Sequence, residues 1–149
     1  MNDLLMINPK IINFGLHNLM TDMLLASGNI QGIKAFAQVC LDLKKGNVLV
    51  TQNIPRLVND IKPFSLSGSY KVCGSVNQLG YMTNPSLQEV TTVVESYPQN
   101  IEIWAMQILG SGVIDTSKLD SKTFKNFDAV LIASRSKERL KELHDAFKV

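Results

Sequence analysis

Ser134, Arg135 and Arg139 stand where an apolar run, Ala129 to Ala133, gives way to a helical pattern. Those residue types at such a junction suit an anion. The exposed N–H groups and positive dipole end of a helix N-terminus favour negative charge, and an arginine fork matches phosphate geometry. Lys137, Lys141 and Lys148 share the segment, so a solvated basic helix is the competing reading. Gly110-Ser111-Gly112 follows another apolar run and would let backbone approach a phosphate; a plain tight turn is its competitor. His17 closes a short apolar run, where a general acid or polarising donor would need a partner and a pocket. An ordinary local hydrogen bond also explains it, and His144 lies among surface charges near the C-terminus. Asn77 and Gln78 end a strand pattern, where amides commonly satisfy backbone groups.

Other chemistries find no support in the residues. Metal-ligand spacing, a nucleophile elbow and a P-loop are all absent from the sequence. Asp3, Asp22, Asp42 and Asp60 are dispersed and read as caps or surface charges, while Cys40 and Cys73 read as buried free thiols. At 149 residues, 45% hydrophobic and 19% charged, the chain has the size and composition of one globular domain. A net charge of +2 gives no reason to expect nucleic acid or a membrane surface as a partner. No apolar run reaches the roughly 18 residues that span a bilayer. Met1-Asn2-Asp3 lacks the cationic start of a secretory signal, so the expected compartment is the cytoplasm.

The elements that must position these residues alternate along the chain. Strands are expected over Ile11 to Leu16, Val48 to Thr51, Tyr70 to Val76, Ile101 to Met106 and Ala129 to Ala133. Between them, Ile33, Phe36, Ala37, Cys40 and Leu43 recur at helical spacing behind an Asn29 cap, with Lys44-Lys45-Gly46 at the exit. Asn53 caps a short helix with Pro55 in its first turn and Leu57, Val58 and Ile61 inside. Pro63 to Ser69 reads as a loop. Ser86 and Glu89 form a capping box before Val90, Val93, Val94 and Tyr97. A short helix is expected near Ser117 to Phe124, and a last one burying Leu140, Leu143 and Phe147. Trp104 is expected in the core. Alternation without hairpin signals makes the strands parallel. The fold class is therefore α/β, closed either as an open doubly wound sheet or as part of a barrel.

From Leu16 onward the order of short motifs resembles the C-terminal half of the aldo/keto reductases, a (β/α)8 barrel family. Val76-Asn77-Gln78-Leu79-Gly80-Tyr81 resembles the sixth-strand segment, where an Asn-Gln pair precedes an aromatic residue. Ile103-Trp104-Ala105-Met106-Gln107-Ile108-Leu109-Gly110-Ser111-Gly112 is similar to the seventh-strand segment, and Ile132-Ala133-Ser134-Arg135-Ser136-Lys137-Glu138-Arg139-Leu140 to the eighth. Val50-Thr51-Gln52-Asn53 is similar to the fifth-strand Gly-Val-Ser-Asn, and Leu16-His17 to the fourth-strand histidine.

The resemblance implies a partial barrel that binds NADP. Ser134, Arg135 and Arg139 would hold the 2′-phosphate, Asn53, Asn77 and Gln78 the nicotinamide end, and Gly110 and Gly112 the backbone near a phosphate. His17 would help polarise a substrate carbonyl. The departures are equally specific. The family's catalytic tyrosine, aspartate and lysine belong to earlier strands, and only about fifteen residues precede His17. Met106 replaces the tyrosine that stacks on nicotinamide, and Gln52 a serine. Roughly five of eight βα units are present, so one copy cannot close a barrel, and a homo-oligomer or a larger barrel partner is expected. The chain then reads as the NADPH-binding half of a carbonyl oxidoreductase with an incomplete catalytic set. Its rivals are a non-catalytic interaction or scaffold module and a barrel enzyme for another phosphate ligand.

Overall fold

The computed structural model describes residues 10–63 and 70–148, so Asp3 and the loop beyond Pro63 lie outside the described residues. Five strands, β1 (Asn13–Leu16), β2 (Gly46–Thr51), β3 (Tyr70–Ser75), β4 (Ile101–Met106) and β5 (Ala129–Val130), form one parallel sheet in the order β1-β2-β3-β4-β5. Five helices connect or follow them: α1 (Asn18–Ala26), α2 (Ile30–Asp42), α3 (Ile54–Ile61), α4 (Leu87–Val94) and α5 (Lys137–Ala146).

Sheet register decides between the two closures. Leu16, Leu49, Val72 and Ile103 lie side by side across four strands. The same core takes in Ile33 and Ala37 of α2, Leu57 and Ile61 of α3, Val90 and Val94 of α4, and Leu143 of α5. The helices therefore cover a single face. A doubly wound sheet reverses its strand order and covers both; here each crossover advances by one strand in the same direction. The fold is a partial barrel of parallel βα units.

Close packing of helix on sheet rests on Gly74. A Cβ there would lie 2.5 Å from Ile54 Cγ1 and 3.1 Å from the Thr51 carbonyl, so α3 reaches β3 only because the side chain is missing. The opposite face carries Val50, Cys73, Trp104 and Ala129 in register. Trp104 is thus not part of the helix-side core as expected. It is half-buried on the other face, where its indole N–H donates to Glu102 at 3.2 Å and Lys71 Nζ lies 5.9 Å from its ring. Alternation along β4 requires this, because Ile103 and Ala105 take the core side.

Other differences have local causes. α1 was not foreseen: Leu19, Met20, Met23, Leu24 and Leu25 surround it with apolar residues, which blurs the helical stripe. It buries Thr21 and Leu25 and exposes Leu19, Met20 and Met23. At the end of α2, Lys44 rather than Gly46 takes the left-handed position, at φ 54°. Gly46 instead begins β2, where a Cβ would collide with the Asn13 side chain. The helix expected near Ser117 is two 3-10 turns, Thr116–Lys118 and Ser121–Phe124. Asp115 and Asp120 each accept from the N–H two residues ahead, and such bonds compete with a continuous helix. Leu140 is 38% exposed rather than inside, whereas Leu143 is fully buried and Phe147 packs edge-on against Phe124 at 5.8 Å.

Candidate functional site

β4 and β5 diverge at their C-terminal ends, and the divergence makes the site. β5 pairs only through Ala129 and Val130, with two more bonds at its ends, from the Asp128 N–H to the Ile103 carbonyl and from the Leu131 N–H to the Ala105 carbonyl. The expected continuation to Ala133 fails because β4 has already turned away: Gln107 adopts φ 55°. Gly110, Ser111 and Gly112 then follow with φ of 53°, 60° and 92°. For a non-glycine residue such left-handed backbone costs roughly 1–2 kcal/mol, so Gln107 and Ser111 hold a turn that their own preferences oppose.

A cleft of about 1060 Å³ opens between this turn and the start of α5. Gly112, Ser134, Arg135 and Arg139 line it, over an apolar floor that includes Met106, Ile108 and Leu131. The α5 side is ordered by serines. Ser134 Oγ accepts from the Ser136 N–H at 3.1 Å, and Ser136 caps the helix by accepting from the Arg139 N–H at 3.2 Å. The Ser136 hydroxyl donates to Glu138 and holds its carboxyl below the usual carboxylate range.

The two walls are also tied together. Thr116 Oγ1 donates to Glu142 of α5 at 2.9 Å. Asp115 is held below the usual carboxylate range mainly by the Ser117 hydroxyl and N–H, with Lys118 and Arg139 adding to the effect. Arg139 is half-buried and Arg135 exposed. Neither forms an ion pair among the described residues. Two guanidinium groups beside serine hydroxyls can receive a phosphate, and the aliphatic floor can receive an uncharged body.

The remaining predicted residues have other surroundings. Gly110 is buried behind the turn, packed near the Asn77 side chain. Asn77 is itself buried, with its amide donating to the Tyr81 carbonyl at 2.7 Å and accepting from the Tyr81 N–H at 3.0 Å. Gln78 donates to the Lys118 carbonyl and accepts from the Asp120 N–H, tying the turn after β3 to the β4–β5 connection. Asn53 caps α3 by accepting from the Arg56 N–H at 3.0 Å. His17 is exposed and caps α1, its Nδ1 accepting from the Leu19 N–H at 3.3 Å. Neither Asn53 nor His17 lines the cleft.

Sequence reading missed Gln107 and Ser136 as lining residues, whereas Met106, read as standing where a tyrosine would stack on nicotinamide, does line the cleft. An amide directly after a strand and ahead of Gly-Ser-Gly was the available signal for Gln107. It also missed Asp22, which accepts from the Thr51 hydroxyl and the Gln52 N–H and so fastens α1 to the end of β2. A second groove of about 560 Å³ lies between α4 and the Ser121–Phe124 turn and holds none of the predicted residues. Among the described residues, no cluster of three or more His, Cys, Asp or Glu is placed to hold a metal, and no helix is long and apolar enough to cross a membrane. No protein-family model, no curated protein and no solved structure matches the chain.

Proposed function

We propose that the chain is an aldo/keto-reductase-like module, the NADPH-binding half of a carbonyl oxidoreductase with an incomplete catalytic set. The observation that carries this reading is the convergence of Gly112, Ser134, Arg135 and Arg139 on one cleft. The loops after the last two strands of a parallel βα barrel are a frequent phosphate site. There Arg135 and Arg139 would grip the 2′-phosphate, Ser134 would add a hydroxyl, and Gly112 would let backbone come close. When bound, NADPH supplies a hydride. The chain's own residues bind and orient it.

The fit is good at the phosphate end and altered at the other. Asn77 and Gln78 are engaged by their own chain, and Met106 offers no aromatic platform. His17 would polarise a carbonyl only beside groups that another barrel unit supplies. The edge positions of β1 and β5, and the exposed Leu19, Met20 and Met23 of α1, support a homo-oligomer or a larger barrel partner.

Fluorescence titration with NADPH, NADH and ribose 5-phosphate tests the reading. NADPH binding tighter than NADH is expected. Ribose 5-phosphate binding without NADPH would favour a phosphate-ligand barrel enzyme. No binding at millimolar concentrations would leave an interaction module.

A further inference from the structure

We infer that Gln107, fixed by Ser75, is the hydrogen-bond donor that reads the part of the ligand beyond its phosphate. The inference rests on the NADPH reading of the cleft and adds a residue to it. Gln107 is an amide side chain in the lining, placed directly after Met106. It replaces the function that Asn77 and Gln78, engaged elsewhere, do not offer.

Its orientation follows from two bonds. The Gly110 N–H donates to the Gln107 carbonyl at 2.8 Å, closing the turn that keeps Gln107 left-handed. Ser75 is 4% exposed, so its hydroxyl needs an acceptor, and it donates to Gln107 Oε1 at 2.8 Å. That bond fixes which end of the amide faces β3. Nε2, with two N–H groups, has no partner among the described residues. A donor oriented by Ser75 beside an apolar floor suits an acceptor oxygen of the half that the bisphosphate lacks, the nicotinamide carbonyl. Ser75 is a positioning residue, and Gln107 makes the contact.

The test compares NADPH with adenosine 2′,5′-bisphosphate, which keeps the phosphate end and lacks the nicotinamide half. Gln107→Ala should weaken NADPH binding about three- to tenfold, the range for a single neutral hydrogen bond, and leave the bisphosphate unchanged. Gln107→Glu should weaken it further, because an anionic acceptor replaces the donor. Gln107→Asn guards against a folding defect: asparagine tolerates left-handed backbone but retracts the amide, and it too should lose NADPH selectively. Ser75→Ala should shift NADPH in the same direction by less. Equal loss of both ligands, or unchanged NADPH binding in the Gln107 variants, overturns the inference. If Arg139→Ala still weakens both ligands in that case, the cleft reading stands and only the role of Gln107 falls. Wild-type protein that binds neither ligand overturns both.

Discussion

Replacing Arg139 with alanine should weaken NADPH binding about tenfold and leave NADH within about twofold. A hydrogen bond to a charged group contributes roughly 1.5–3 kcal/mol, and a bidentate arginine could offer two. Three features of the site reduce that figure. Arg139 is only half-buried, so water screens it. The carboxylate of Asp115 lies near enough to attract it weakly. Arg135 stays in the cleft to hold part of the phosphate. The net expectation is therefore near 1.4 kcal/mol, or tenfold. The fold should survive the change, because Ser136 caps the Arg139 backbone N–H and alanine is the best helix former. Arg139→Lys keeps the charge without the fork and should fall between. Cofactor fluorescence on titration is the assay, with thermal unfolding as the control. Equal weakening of NADPH and NADH, or no change in either, would refute the assignment of Arg139 to the 2′-phosphate.

Three further outcomes follow from the packing. Gly74→Ala should destabilise the chain by about 1–2 kcal/mol in urea unfolding, because overpacking against Ile54 outweighs the entropy gained by the substitution; a stabilised variant would contradict the close approach of α3. Asp128→Ala should cost roughly 1.5–3 kcal/mol, since Asp128 accepts from the Ile103 N–H at 2.6 Å and the Tyr97 hydroxyl at 2.7 Å; an unchanged urea midpoint would contradict that clamp on β5. Burial, reinforced by Asp128, pushes Tyr97 up to about 12 from 10.0, and burial alone does the same for Tyr70. The neutral phenols are thus favoured by folding, so their contribution is complete below pH 10.0 and lost as the pH rises towards about 12. Unfolding midpoints flat across that alkaline window would contradict it.

Local chemistry made much of the fold legible. The caps at Asn29, Asn53 and Ser86 each accept the expected backbone N–H, because such a cap depends on residues only three apart. Strands rich in Val, Ile and Leu and bounded by caps and glycines could be placed within a few residues. Two signals were too weak. The helix α1 has apolar residues all round it, so its period was hidden. The length of β5 depends on where β4 turns, which is a property of the pair. The site divides in the same way. Ser134, Arg135 and Arg139 form a local junction and could be read from the sequence. Gln107 owes its orientation to Ser75, which sits 32 positions earlier and becomes a neighbour only through sheet register. For Asn77 and Gln78 the sequence left both uses of a strand-end amide open, and the backbone groups that engage them lie in turns the sequence could not position.

If NADPH binds in the cleft between β4 and α5, backbone amide resonances followed during a titration will register it there. Ser134, Ser136, Arg139 and Gly112 should shift early with NADPH, the same amides should move far less with NADH at equal concentration, and His17 and Asn53 should stay unchanged. Shifts confined to other strand ends, identical shifts with both cofactors, or none with millimolar NADPH would contradict it.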